Sequence, residues 1–513
     1  MLVKTFGSAV HGVDAITIQV EVNEMAGTSY YLVGLPDSAV KESFQRVESA
    51  LKHNGYFMPR RKLVINLAPA HIRKSGTSFD LAIAIGILAA TEQIPAPEQL
   101  SGIVLMGELQ LDGSLLPVKG ALPIAINARR DGFNALFIPL ANAREAGIVE
   151  GLNVYGVHHL NEVIAHLRGE HPIAATITDT VTAFAQSPSE TDCDFADVKG
   201  QENIKRALEI AAAGGHNAIL IGPPGAGKTM LARRLPSILP PLTIEEALET
   251  MRIYSVTGKL PADNSLITAR PFRSPHHTVS DYALVGGGSY PQPGEISLAH
   301  NGVLFLDEFP EFRRTALEVM RQPMEERKLT ISRARISVEF PASFMLLAAM
   351  NPCPCGNYNH PEKACTCHPG AVQRYLSKIS APLLDRIDLH VEVTPVPFRD
   401  LEIEQAAESS AQIRARVIGA RALQAIRYQE IPGVYCNAQI SGKTFRKACV
   451  VETQGKHLLK AAMEKLKLSA RAYDRILKVS RTIADLANCK EIAAAHIAEA
   501  IQYRSLDREN WGE

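Results

Sequence analysis

The octapeptide GPPGAGKT, Gly222 to Thr229, constrains the fold more than any other stretch, because its chemistry demands a particular backbone around it. The apolar run AILI precedes it and the helix-forming run KTMLARRL follows from within it. A strand, a glycine loop and a helix in that order turn backbone N–H groups inward, and the helix N-terminus adds partial positive charge, so the loop suits phosphate. In the pattern G-x-x-x-x-G-K-T, the cradle is Gly222, Pro223, Pro224, Gly225, Ala226, Gly227, Lys228 and Thr229. Lys228 is expected to reach the β and γ phosphates and the Thr229 hydroxyl to bind magnesium, so ATP and magnesium are the expected cofactors.

Two further strand-like runs carry chemistry at their ends. NGVLFLDEF ends in Asp307, expected to hold magnesium, and Glu308, expected to polarise an attacking water. FMLLAAMNP ends in Asn351, which can orient that water; Asn before Pro is also a plain turn former. Arg386 in APLLDRIDL and Arg471 in LSARAYDRIL could each stabilise phosphoryl charge. Each also has acids for neighbours, Asp385 and Asp388 or Asp474.

At 513 residues the chain exceeds the size at which one core keeps growing, so several domains are expected. Lys plus Arg equals Asp plus Glu at 54 each, so any nucleic-acid surface must come from local clustering. The N-terminus lacks an unbroken apolar segment and no run approaches membrane-spanning length, which makes a cytoplasmic chain with no membrane partner the expectation.

Short β-like runs (AITIQVEV, KLVINLA, GIVLMGEL, NALFIPL) alternate with helical stretches over residues 1–168, an α/β pattern. Residues 169–193 lose periodicity and read as a linker. Residues 194–397 alternate strands and helices around the phosphate loop, and 398–513 are helical throughout.

In such a compartment clustered cysteines suggest metal before disulfides. Cys353, Cys355, Cys365 and Cys367 form two C-x-C pairs separated by nine residues, within a stretch 353–367 that has little apolar content to fold on. Four thiolates can close a tetrahedral zinc site, and zinc would stabilise such an insert. His360 or His368 could replace one thiol, and disulfide pairing or unliganded thiols are the alternatives.

The motif order of glycine loop, long insertion, DE strand, hairpin, Asn strand, LLDRID and SARAYDRIL resembles AAA+ ATPases of the magnesium-chelatase type, and within them the ComM/YifB group. VGLPDSAVKESFQRVESAL and INLAPAHIRKSGTSFDLAIAIGIL are similar to that group's own signature. The resemblance implies an α/β fold: a P-loop AAA+ core, which here carries the zinc-knuckle-like insert read from the cysteine spacing, and a C-terminal helical lid, preceded by a Lon-protease-like domain. It implies Arg386 as an arginine finger acting on a neighbour's ATP, Arg471 as a second sensor, and a homo-hexameric ring. KSGTSFDLAIA matches the Lon segment carrying the nucleophile, here Ser78, but Leu122 stands where the Lon lysine is expected and Lys119 lies three residues earlier, so this domain is expected to be proteolytically inactive.

The 77 residues between Thr229 and Asp307 include a glycine-flanked loop with Arg270, Arg273, His276 and His277, a candidate for contacting a phosphate backbone. ERKLTISRARISVEF alternates apolar residues on two arms, which predicts a hairpin turning near Arg333 to Arg335 and presenting Lys328, Arg333 and Arg335 to phosphates. The resemblance then implies an ATP-dependent DNA helicase that promotes branch migration on single-stranded and branched DNA during natural transformation, working on RecA-coated intermediates. A chelatase-like motor remodelling a protein partner is the alternative.

Overall fold

The computed structural model describes residues 1–513 except 75, 95–96, 181–192, 262–265, 289, 334–335, 359, 361, 396–406, 467 and 505–513. The chain divides into two compact units, Met1–Ser187 with Ala247–Ile267, and Pro188–Glu246 with Thr268–Glu513.

In the first unit, β1 (Leu2–His11) pairs antiparallel with β2 (Asp14–Met25), and β3 (Tyr30–Val33) is an edge strand. After α1 (Ser43–His53) come β4 (Lys62–Ala68), α2 (Asp80–Ala90), β5 (Ile103–Leu105), α3 (Ala121–Arg130), β6 (Ala135–Pro139) and β7 (Asn153–Val157). The seven strands form one mixed sheet in the order β3-β4-β2-β1-β5-β6-β7. After its first residue, Asp80, which Arg46 pairs with at 2.7 Å, α2 is apolar all round, and every one of its residues is buried, as a helix enclosed by its own domain requires. A Cβ at Gly86 in α2 would lie 2.7 Å from Val22 Cγ2, so the bare glycine lets the helix close on β2.

The linker and ATPase boundaries differ from the expected ones at two places. Thr176 N donates to Val154 O at 2.7 Å and Thr178 N to Gly147 O at 3.0 Å, so the first part of 169–193 is tied to the first unit; 181–192 lie outside the described residues. Residues 247–267, expected within 194–397, belong to the first unit, where Met251 and Leu266 pack with Leu122 and Ile148. Burial of apolar side chains, invisible in sequence position, decides this membership.

The second unit holds α4 (Glu202–Gly214), β8 (Ala218–Ile221), α5 (Lys228–Ile238), β9 (Phe272–Arg273) and β10 (Val303–Leu306). Next come the antiparallel hairpin of β11 (Lys328–Arg333) and β12 (Ile336–Pro341), then β13 (Met345–Met350), α6 (Ala371–Leu376) and β14 (Leu389–Glu392). β9-β10-β13-β8-β14 is a five-stranded, wholly parallel sheet. Its strands β8, β10 and β13 are buried at every position, as the continuous apolar runs require.

Four longer helices follow: α7 (Ser410–Tyr428), α8 (Thr453–Lys465), α9 (Ala470–Leu486) and α10 (Ala494–Gln502). Ile413 and Val417 of α7 and Ile476 and Ile483 of α9 share one core with Leu208 of α4 and Leu220 of β8. This helical part is thus continuous with the sheet. A buried polar chain reinforces the join: Asp388 meets His216 Nδ1 at 3.0 Å and Arg475 at 3.0 Å, and His216 Nε2 lies 2.8 Å from Thr482 Oγ1.

Candidate nucleotide site

The phosphate loop leaves β8 along the parallel sheet and enters α5 at Lys228. Gly225 and Gly227 have φ of 79° and 86°, left-handed values that glycine takes without strain. A Cβ at Gly222 would sit 2.2 Å from Val393 O, so no side chain fits there.

Lys228 is 8% exposed, and its Nζ donates to Gly222 O at 2.7 Å, Pro223 O at 2.9 Å and Asn351 Oδ1 at 3.2 Å. Burial lowers its pKa, and the Asp307 carboxylate opposes that shift. Thr229 Oγ1 donates to Asp307 Oδ2 at 2.6 Å, and Glu308 N donates to Asp307 Oδ1 at 2.9 Å. The two ends expected to hold magnesium therefore meet, one from the helix start and one from the end of β10. Lys228, Asp307, Glu308 and Asn351 line one cavity of about 620 Å³.

Several residues that line that cavity are not marked by the sequence, and another was expected elsewhere. Arg374 and Tyr375 of α6, and Lys378 just beyond it, line the wall. Burial pushes the Tyr375 hydroxyl up to about 12. Nothing in the local sequence around Arg374 marks it, since its role depends on where α6 lies. His277, expected on a polynucleotide loop, also lines the cavity, with Nδ1 2.8 Å from Glu308 Oε2.

The remaining loop arginines are corrected too. Arg270, its side chain 14% exposed, donates to Pro240 O and Asn301 O, both at 2.8 Å, and pairs with Glu246 at 2.8 Å. Arg273 makes two bonds to Glu295, at 2.6 and 2.8 Å. A cation as enclosed as Arg270 needs local anions and carbonyls, which removes it from the surface role expected of it, while Arg273, its side chain 31% exposed, is held by Glu295. His276 stays exposed, its ring 4.1 Å from that of His277.

The hairpin forms with Lys328 opposite Pro341 and Arg333 opposite Ile336. Leu329, Ile331, Val338 and Phe340 are buried on one face. Lys328 Nζ lies 3.0 Å from both Glu339 carboxylate oxygens across the hairpin, an exposed pair that leaves the ammonium in water. Arg335 and the Arg333 side chain lie outside the described residues.

Arg386 and Arg471 do not line the cavity of Lys228. Arg386 is 8% exposed, bonded to Pro382 O and Glu325 Oε1, each at 2.5 Å. Arg471 is exposed and meets Asp385 at 3.3 Å.

The sulfur atoms of Cys353, Cys355, Cys365 and Cys367 all lie within 4.8 Å of one another. The Cys353 to Cys365 distance is 3.8 Å and Cys355 to Cys365 is 3.5 Å. Sulfurs at about 2.3 Å from a tetrahedral zinc stand roughly 3.8 Å apart, so the donor set fits that ion. Cys353 and Pro354 line the nucleotide cavity, and a Cβ at Gly356 would lie 2.5 Å from Pro224 Cδ, so the cysteine loop touches the phosphate loop directly.

In the first unit Leu122 is fully buried at the start of α3, which leaves an alkyl group where a lysine base would stand. Lys119 is exposed. Lys74, four residues before Ser78, is buried with Nζ donating to Gly34 O at 2.9 Å and to Pro69 O.

Three family profiles match in series: "Subunit ChlI of Mg-chelatase" over residues 18–142, "Magnesium chelatase, subunit ChlI" over 194–401, and "Magnesium chelatase, subunit ChlI C-terminal" over 407–504. The chain is 44% identical to the uncharacterized protein YifB of Salmonella typhimurium, covering 97% of this chain and 96% of that one. It is 43% identical to the competence protein ComM of Haemophilus influenzae, covering 98% and 97%. Lon protease 2 of Bacillus subtilis is 32% identical over 28% of this chain and 27% of its own. With that identity over nearly its whole length, and an AAA+ core whose glycine loop, acidic strand end and Asn strand converge as described, this chain belongs to the ComM/YifB family of magnesium-chelatase-type AAA+ proteins, with a partial likeness to Lon protease.

Proposed function

We propose that this chain is an ATPase that works as a homo-hexameric ring and drives DNA branch migration during natural transformation. The observation that carries the ATPase reading is the convergence of Lys228, Asp307, Glu308 and Asn351 on one cavity, with Thr229 bonded to Asp307. The Haemophilus influenzae relative, ComM, is a competence protein, which supports the DNA reading.

Lys228 neutralises the β and γ phosphates, while Thr229 and Asp307 hold magnesium, which supplies charge neutralisation when bound. Glu308 takes the proton of a water that attacks the γ-phosphorus as the bond to the bridging oxygen of ADP breaks. Asn351 orients that water. Arg386 exchanges its present pairing with Glu325 for a neighbour's ATP when it serves as the finger, and Arg471 serves as the second sensor. The four cysteines hold a structural zinc beside the phosphate loop, and the Lon-like unit does not cleave peptides. Single-stranded and branched DNA, including RecA-coated intermediates, are the substrates.

The test is ATP turnover by the full chain with and without forked and single-stranded DNA at low salt. A severalfold rise with DNA is expected. Turnover indifferent to every DNA structure would favour the alternative, a chelatase-like motor that remodels a protein partner.

A further inference from the structure

Residues 52–62, KHNGYFMPRRK, carry Lys52, Arg60, Arg61 and Lys62 with no acid among them, and place Tyr56 and Phe57 in between. This segment runs from the end of α1 into β4 and lies wholly within the first unit. It turns at Gly55, whose φ of 80° is left-handed.

The main chain of this turn is pinned. Tyr56 N donates to Leu51 O at 2.9 Å, Phe57 N to Gln93 Oε1 at 3.0 Å, and Gln93 Nε2 to Phe57 O at 3.0 Å. Yet the Phe57 side chain is left in water, the residue 60% exposed. The ring is thus held mostly in water at a fixed place on the wall of a cavity, where a flat ligand can cover it.

Beside Phe57 opens a cavity of about 640 Å³, with Lys52, Tyr56, Arg60 and Arg61 in its walls. Tyr30 and Phe44, their ring centroids 3.9 Å apart, form another part of the lining. Arg60 is exposed. Arg61 reaches Glu24 only at 3.5 Å and is 68% exposed, while Lys52 is paired with Glu48 at 2.7 Å. Lys62 Nζ stands 5.0 Å from the Tyr31 ring of the edge strand β3, outside the cavity lining. In the cavity wall itself cations flank aromatic rings along the chain: Lys52, then Tyr56 and Phe57, then Arg60 and Arg61.

That alternation selects a ligand with negative charge at regular intervals and flat rings between the charges. Free bases stack on aromatic side chains while arginines track the intervening phosphates, and a duplex, whose bases stack on each other, offers no such faces. We infer that residues 52–62 form a contact for single-stranded nucleic acid, in which Phe57 is a stacking platform and Arg60 and Arg61 meet phosphates. The inference rests on the reading of the chain as a DNA motor and adds a second point of contact, in the Lon-like unit.

The test uses the full-length protein and a fluorescein-labelled oligothymidylate of about 20 nucleotides, with anisotropy read across about 50 to 200 mM salt. Phe57→Ala should weaken binding roughly tenfold and Phe57→Tyr should restore it, because stacking needs only a ring. Arg60→Ala with Arg61→Ala should lower the slope of log affinity against log salt by about 1.4, the value for two lost phosphate contacts on a single strand. Melting temperatures close to wild type would show that the exposed substitutions leave the fold intact. With a 5-iododeoxyuridine strand, photo-crosslinks should map to Tyr56 or Phe57.

Wild-type binding that none of these variants alters in strength or salt slope, with crosslinks only elsewhere, would overturn the site and leave the motor reading standing. Displacement of the probe by thymidine monophosphate at the same nucleotide concentration would overturn it in favour of a mononucleotide pocket. Failure of the wild type to bind the strand in any nucleotide state would instead strike the motor reading.

Discussion

Nδ1 of His277 lies 2.8 Å from Oε2 of Glu308, so a loop on a separate part of the sheet grips the carboxylate proposed as the base. Glu308 itself sits at φ 52°, a left-handed value that costs a non-glycine residue on the order of 1 kcal/mol or more. A strained backbone and a tethered side chain together set where that carboxylate points. His277→Ala should free it. A hydrogen bond to a charged group is worth about 1.5 kcal/mol, so DNA-independent turnover should rise by up to about tenfold. Steady-state ATPase without DNA checks this; a fall in kcat at constant KM would mean that His277 positions the base for attack.

Lys228→Ala and Glu308→Gln should part binding from chemistry. Lys228 contributes charge to the phosphate cradle, so its loss should weaken nucleotide affinity at least tenfold, by more than about 1.4 kcal/mol. Glu308→Gln keeps the shape but cannot accept a proton. Turnover should drop by about 10²-fold or more while titration with a fluorescent ATP analogue stays near wild type.

Arg386→Ala should abolish turnover in protein that still binds ATP, because Arg386 lies outside its own subunit's cavity. Mixing Arg386→Ala with Lys228→Ala subunits should restore activity, since some interfaces then pair an intact finger with an intact cradle. If no mixing ratio restores any, action between subunits loses its support.

Elemental analysis of protein purified without chelator should find about one zinc per chain. Cys365→Ser should lower that content and the melting temperature. It should also weaken ATP binding, because the cysteine loop rests on Pro224 of the phosphate loop. Unchanged ATP affinity in a zinc-free, folded variant would separate the two sites.

Stability should fall on acidification in two stages. His390 is buried and its pKa is held well below 6.5 by burial and by the Arg504 charge, against the pull of Asp388. Protons taken up only by the unfolded chain then favour unfolding as pH drops below about 6.5. For Asp388 burial alone would raise the pKa, but Arg475 and His216 carry it below the ordinary 3.8, so its contribution is present above that pH and is lost at lower values. Urea unfolding midpoints from pH 8 to pH 2 should decline first below about 6.5 and again below about 3.8, and His390→Gln should flatten the first stage.

The phosphate loop, the Asp307 and Glu308 pair, Asn351 and the cysteine pairs were all legible in linear order, because each chemistry needs particular side chains at particular spacings on a strand, a loop or a helix start. The hairpin was legible from alternation alone. Arg270, Arg273 and Lys328 read as free cations because a sequence does not show Glu246, Glu295 and Glu339 arriving beside them.

Local spacing thus determined the nucleotide cradle, the strand ends that face it and the fourfold thiol set, since short-range backbone geometry is written in neighbouring residues. Tertiary structure alone decided that His277 belongs to Glu308, that Arg374 enters the cavity, that residues 247–267 join the first core, and that the cysteine loop leans on the phosphate loop. Those pairings join residues far apart in the chain, and only the burial of apolar surface and the compensation of buried charge bring them together.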